Sequence, residues 1–142
     1  MSNPTQITSL RIPTETLITT KILTEKDSGK AFLLDLVDGF TVTLPPVAKA
    51  GNGFSISFVV KTSPTTAYII TEDATVDVDV LTGGSSSAEL TSLAVAAYSA
   101  AYTQINFVAS EAVLGDWATV TSDGIRYYTH VHTNVQAGVT LT

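Results

Sequence analysis

A chain of 142 residues is long enough for one domain with a sizeable core, and the absence of cysteine excludes disulfides, thiol nucleophiles and thiolate metal sites. Charged residues make up only 14% and hydrophobic ones 44%, so few charges remain to cover a free surface, while the abundance of Thr, Val and Ile favours pleated strands. A formal net charge of −6 without a Lys/Arg cluster argues against a nucleic-acid binder, and no run of apolar residues approaches the ~20 that a membrane span needs.

Residues 1–22 read as an extended N-terminal arm ahead of a domain over residues 23–142. Pro4 and Pro13 deny helix continuity, and Ile7, Leu10, Ile12, Leu17 and Ile18 follow no helical or alternating period. An arm with this apolar content packs on its own core or on another chain, with Arg11 and Lys21 placed to orient it. No basic stretch followed by an apolar core marks a secretory leader, so the expectation is a soluble protein made in a cytoplasm.

From Lys30 the pattern sharpens. The runs AFLLDL and FTVTLPP flank Val37-Asp38-Gly39, and an Asp-Gly between apolar runs predicts a hairpin. Pro45-Pro46 ends the second run because neither residue can donate to a ladder. After Gly51-Asn52-Gly53, FSISFVVK alternates and sets Phe54, Ile56, Phe58 and Val60 on one face. VDVDVL predicts another strand, with Asp77 and Asp79 on the solvent face, and Gly83-Gly84-Ser85-Ser86-Ser87 predicts a flexible loop. AELTSLAVAAYSAAY is open between a short helix and extended structure. QINFVAS reads as a strand, and WATVTS and IRYYTHVHTNV form a hairpin around Ser122-Asp123-Gly124. Short strands at this spacing predict an all-β fold, an antiparallel β-sandwich or barrel of jelly-roll type.

Chemistry has few places to reside. The only imidazoles, His130 and His132, lie two apart on one strand; no Gly-x-Ser-x-Gly or phosphate-binding Gly-rich loop is present, so no catalytic set and no cofactor is expected. Asp77 and Asp79 point the same way, but carboxylates on an exposed strand face usually serve solubility. His-x-His on a strand puts both rings on one face, a geometry that metal sites use. Two ligands do not make a site, and a third would have to come from the acidic strands or a symmetry mate, so no metal is assigned. The same face carries Arg126, Tyr128 and Asn134, a composition enriched where proteins meet, and the five residues are expected at a subunit interface. Trp117 is expected as a core anchor opposite them.

The order of features AFLLDLVDGFTVTLPPVAKAGNGFSISFVV, AYIIT and INFVASEAVLGDWATVTSDGIRYY resembles the small β-rich virion proteins of tailed bacteriophages, particularly capsid decoration (head cement) proteins, over about Asp27 to Tyr128. Similar modules occur in head-fibre and tail-fibre proteins. Members often carry Trp-Tyr followed by glycine where this chain has Tyr127-Tyr128-Thr129-His130. The resemblance implies a non-enzymatic homotrimer on the outer capsid surface of the virion, seated on local three-fold positions and fastening the major capsid protein. In that setting the arm residues Ile7, Leu10, Arg11, Ile12, Leu17 and Lys21 would meet the capsid. The alternative is a fibre module binding a host receptor or carbohydrate through exposed tyrosines, with Tyr98, Tyr102, Tyr127 and Tyr128 as candidates.

Overall fold

In a computed structural model, which describes residues 11–89 and 98–142, the chain is all-β and forms two sheets around one core. The seven-stranded sheet has the order β1(Thr14–Leu17), β3(Ala31–Leu34), β5(Asn52–Val60), β10(Trp117–Asp123), β11(Tyr127–Thr133), β7(Leu81–Ser87), β8(Tyr98–Tyr102). The five-stranded sheet runs β12(Val139–Leu141), β9(Gln104–Phe107), β6(Tyr68–Thr71), β4(Thr41–Thr43), β2(Lys21–Ile22). The sheets are mixed, which corrects the antiparallel expectation, and among the described strands neither closes into a barrel.

The first six strands alternate between the sheets. β1, β3 and β5 stack in parallel on one side, and β2, β4 and β6 stack in parallel on the other. Parallel neighbours need a crossover connection, and here each crossover is a strand of the opposite sheet, so residues 14–71 wind as three stacked coils. Val37-Asp38-Gly39 therefore makes no hairpin; it carries the chain from one sheet to the other. The turns of successive coils also stack: Thr65 donates its amide to the Val37 carbonyl at 2.7 Å, and a Cβ on Gly39 would lie 2.1 Å from the Thr66 carbonyl oxygen. Gly39 has φ +65°, so the residue supplies both the left-handed backbone and the close approach.

Tyr68 ties these turns together. Its hydroxyl faces the carbonyl oxygens of Leu36 at 2.8 Å, Thr62 at 2.9 Å and Leu34 at 3.3 Å, and accepts the Leu36 amide at 3.0 Å. The alternation expected in β5 is present: Phe54, Ile56, Phe58 and Val60 are all buried. They meet Phe32, Leu34, Val42, Ile70, Phe107 and Val120 in the core, with the Phe32 and Phe58 rings stacked at 5.6 Å.

Two expectations exchange places downstream. Val76 to Val80 is a turn rather than a strand, and Asp77 turns inward: it is buried and accepts the Val47 amide, whereas Val76 and Val78 are exposed, and Asp79 is exposed as expected. The buried Glu72 carboxylate takes the amides of Asp79 and Val80, which holds this loop against the core. The Gly-Ser run, expected as a loop, is β7 and pairs in parallel with β11. Gly83 permits that pairing, because a Cβ there would lie 2.0 Å from the Thr129 carbonyl oxygen. Of the segment left open between helix and strand, Tyr98–Tyr102 is β8 and residues 90–97 lie outside the described residues.

The described part of the expected arm is woven into the domain. β1 and β2 form the first coil, Leu17 lies in the core at 5% exposure, and Lys21 pairs with Glu15, which also holds Lys30. The arm boundary at residue 22 is thus corrected: the β fold includes residues from Thr14 onward. The scattered apolar pattern of this stretch reflects two very short strands facing two different sheets.

Candidate outward face of the seven-stranded sheet

Laterally paired residues share a face of a sheet, so the registers define what the seven-stranded sheet presents outward. One row runs Thr16, Leu33, Val59, Trp117, His132, Ser86 across six strands. The next runs Thr14, Ala31, Ser57, Thr119, His130, Gly84, Tyr98 across all seven. A third, shorter row is Ser55, Thr121, Tyr128, Thr82. Histidine apart, none of these residues is ionisable near neutral pH. Charge stands at the margins: Lys30, paired with Glu15 and Asp27, lines one groove with Ser55, Ser57 and Thr119, and Asp123 ends β10 on this parity with its carboxylate on Tyr128.

Trp117 belongs to this face, which corrects its expected role as a core anchor. It is directly opposite His132, and cross-strand partners cannot occupy opposite faces. Its half-buried indole lies against both imidazoles, with ring centroids 5.5 Å from His130 and 5.7 Å from His132. The core positions of β10 are Ala118, Val120 and Ser122.

The alternation expected in β11 holds. Tyr127, Thr129, Val131 and Thr133 point inward, while Tyr128 and His130 are exposed and His132 is half-buried. The Ser86 hydroxyl lies 2.9 Å from His132 Nδ1 and 3.5 Å from His130 Nε2. Beyond His132, a shallow cleft of about 420 Å³ is lined by Val113, Leu114, Asp116 and Asn134. Asp116 adds no free acid, since its two oxygens accept the amides of Val113 and Asn134. Asn134 is exposed just past the strand end. At the opposite end, Asp123 accepts the amides of Arg126 and Ile125 and the Tyr128 hydroxyl, which together hold its carboxyl below the usual range and push the Tyr128 phenol up. Arg126 lies in this turn, exposed, with its guanidinium 3.5 Å from the Ala100 carbonyl.

Of the six expected capsid-facing residues, Arg11 and Ile12 are exposed, with Ile12 on the flank of the outward face beside Gly29, Lys30, Ser55 and Ser57. Leu17 is a core residue and is no longer available for docking, and Lys21 is engaged by Glu15. Ile7 and Leu10 lie outside the described residues. Among the described residues no group of three or more His, Cys, Asp or Glu converges as for a metal. The Ser86–His132 contact has the form of a nucleophile and base. Asp116, which lines the cleft beside His132, has both oxygens on the amides of Val113 and Asn134 rather than on the imidazole.

Sequence reasoning missed Ser86, Val59 and Leu33 as members of this face. The alternation of β5 already carried a signal for Val59, because it shares a parity with Ser55 and Ser57 and not with the core set. No family model, characterised protein or solved structure matches the chain.

Proposed function

We propose that this chain is a non-enzymatic structural protein of a tailed-phage virion, which decorates the icosahedral capsid by binding the major capsid protein as a homotrimer. The observation that carries the assembly part of this reading is the uncharged centre of the outward face, with Trp117, Tyr128, His130, His132, Val59 and Leu33 among small Ser and Thr residues. Free sheet faces normally carry Lys and Glu, whereas faces that meet another chain are depleted in charge at their centre and enriched in aromatics. The capsid assignment rests on the sequence resemblance over about Asp27 to Tyr128. Arg11, Ile12 and the exposed Ile18 and Ile22 are the described N-terminal residues free to meet the lattice.

The test combines sedimentation equilibrium of the full chain with co-sedimentation on shells assembled from the major capsid protein of the same phage. The wild type is expected as a trimer that pellets with the shells. Ser57→Glu places a charge in the middle of the outward face without touching the core, and is expected to give a folded monomer. A wild-type monomer that ignores the shells rejects the proposal. A second reading, a fibre module that binds a glycan, is favoured by one observation: Trp117 and Tyr128 both face outward, where an indole and a phenol can stack on a sugar ring. Saturable binding to a glycan array by the Ser57→Glu monomer, lost in Trp117→Ala, is the result that selects it.

A further inference from the structure

His130 and His132 present different ring nitrogens to one point. Nε2 of His130 and Nδ1 of His132 lie 3.5 Å and 2.9 Å from the same Ser86 hydroxyl oxygen, and the Trp117 indole backs both rings. The hydroxyl can donate to one nitrogen or accept from either, and each neutral ring has a tautomer that leaves its nitrogen here unprotonated, so the pair can offer two lone pairs to this point. From this convergence we propose a binding site for a first-row divalent transition ion of the Cu²⁺, Ni²⁺ or Zn²⁺ class. It is chelated by His130 Nε2 and His132 Nδ1, and water fills the remaining positions.

Bond lengths of ~2.0–2.1 Å to imidazole nitrogen require the His132 ring to close by about 0.9 Å and the His130 ring by about 1.5 Å on the present hydroxyl position. His130 is exposed and His132 half-buried on an open face, so side-chain rotation accommodates this and the Ser86 hydroxyl swings aside. The rigid part of the site is the backbone: β11 is held between β10 and β7 over its whole length, which fixes the two Cα positions in one register. Imidazole donors without a carboxylate favour borderline ions over Mg²⁺ and Ca²⁺, and the order of affinity follows Cu²⁺ above Ni²⁺ and Zn²⁺.

Trp117 is the chain's only tryptophan and touches both ligands, so its fluorescence reports the site directly. Titration of the full chain with CuCl₂ should quench it saturably at one ion per chain, and calorimetry with ZnCl₂ should give the same stoichiometry. His130→Gln and His132→Gln should each weaken binding at least tenfold, and Ser86→Ala should leave it within about twofold, since the hydroxyl is no ligand. Both histidines lie outside the core, and unchanged thermal melts confirm that a loss of binding is not unfolding. Both ligands belong to one chain, so the Ser57→Glu monomer, whose face is open, should bind one ion per chain whatever the assembly state of the wild type, and this inference and the trimer reading fail separately. Non-saturable quenching, or quenching that either histidine variant leaves unchanged, overturns the proposal.

Discussion

Replacing Tyr68 with Phe removes one oxygen atom from the junction where the stacked coils turn. The ring stays, including its edge contact with Phe40 at 5.1 Å, so the substitution isolates the hydroxyl. That hydroxyl accepts the Leu36 amide and donates to one of three surrounding carbonyls, the shortest being Leu36 at 2.8 Å and Thr62 at 2.9 Å. Each hydrogen bond is worth about 1 kcal/mol net, and an N–H left without a partner beside the core adds to the loss, giving about 2–3 kcal/mol in total. For a domain of this size that corresponds to a fall in Tm of roughly 5–10 °C. Tyr127→Phe is the matched control: its hydroxyl makes one bond, to the Pro45 carbonyl at 2.6 Å, and a carbonyl with a second lone pair tolerates the loss better, so about 1 kcal/mol is expected. Urea unfolding of both variants with an unchanged slope checks the comparison. A Tyr68→Phe loss below about 0.5 kcal/mol, or one smaller than that of Tyr127→Phe, refutes the hub assignment.

Leu17→Ala should cost about 2–4 kcal/mol in chemical unfolding, as for a core leucine, while Ile18→Ala next to it stays within about 0.5 kcal/mol; equal effects would place the N-terminal stretch outside the fold. Gly83→Ala should abolish the native fold or cost more than about 3 kcal/mol, because the added carbon meets backbone of β11, and a near-neutral melt would disprove the β7–β11 register. Burial raises the phenol pKa of Tyr68 and Tyr102, and burial together with the Asp77 carboxylate raises that of Tyr127. Their contribution is complete below the unfolded value near 10 and is lost as pH climbs from there toward the folded values, so stability should fall steeply above about pH 10. Circular dichroism followed together with tyrosinate absorbance checks this, and ionisation of all five tyrosines before any unfolding would contradict it.

Local pattern sufficed wherever a strand buries one face and its neighbour in sequence is its neighbour in space. The alternation of β5, the hairpin of β10 and β11 around Asp123-Gly124, and the outward set Tyr128, His130 and His132 were all legible, because side-chain parity is fixed by the pleat alone. The all-β class followed from composition for the same reason.

Four features waited for tertiary structure. Asp38-Gly39 has the residues of a hairpin, yet whether the chain returns beside itself or crosses to another sheet depends on which strands occupy the flanks of β3, and these are β1 and β5. The Val-Asp alternation at 76–80 carries the same signal in either orientation; the amides of Val47, Asp79 and Val80 recruited the carboxylates of Asp77 and Glu72 and left Val76 and Val78 outside, with Val80 against the core. Trp117 looked like a core residue because size and hydrophobicity favour burial, but its side is decided by register. Gly83 and Ser85 carry no strand signal of their own, since their place in the sheet depends on a close approach to β11 that only the assembled sheet imposes. That same approach brings Ser86 to the two histidines, so the polar cluster at the centre of the outward face is a product of pairing between segments more than 40 residues apart.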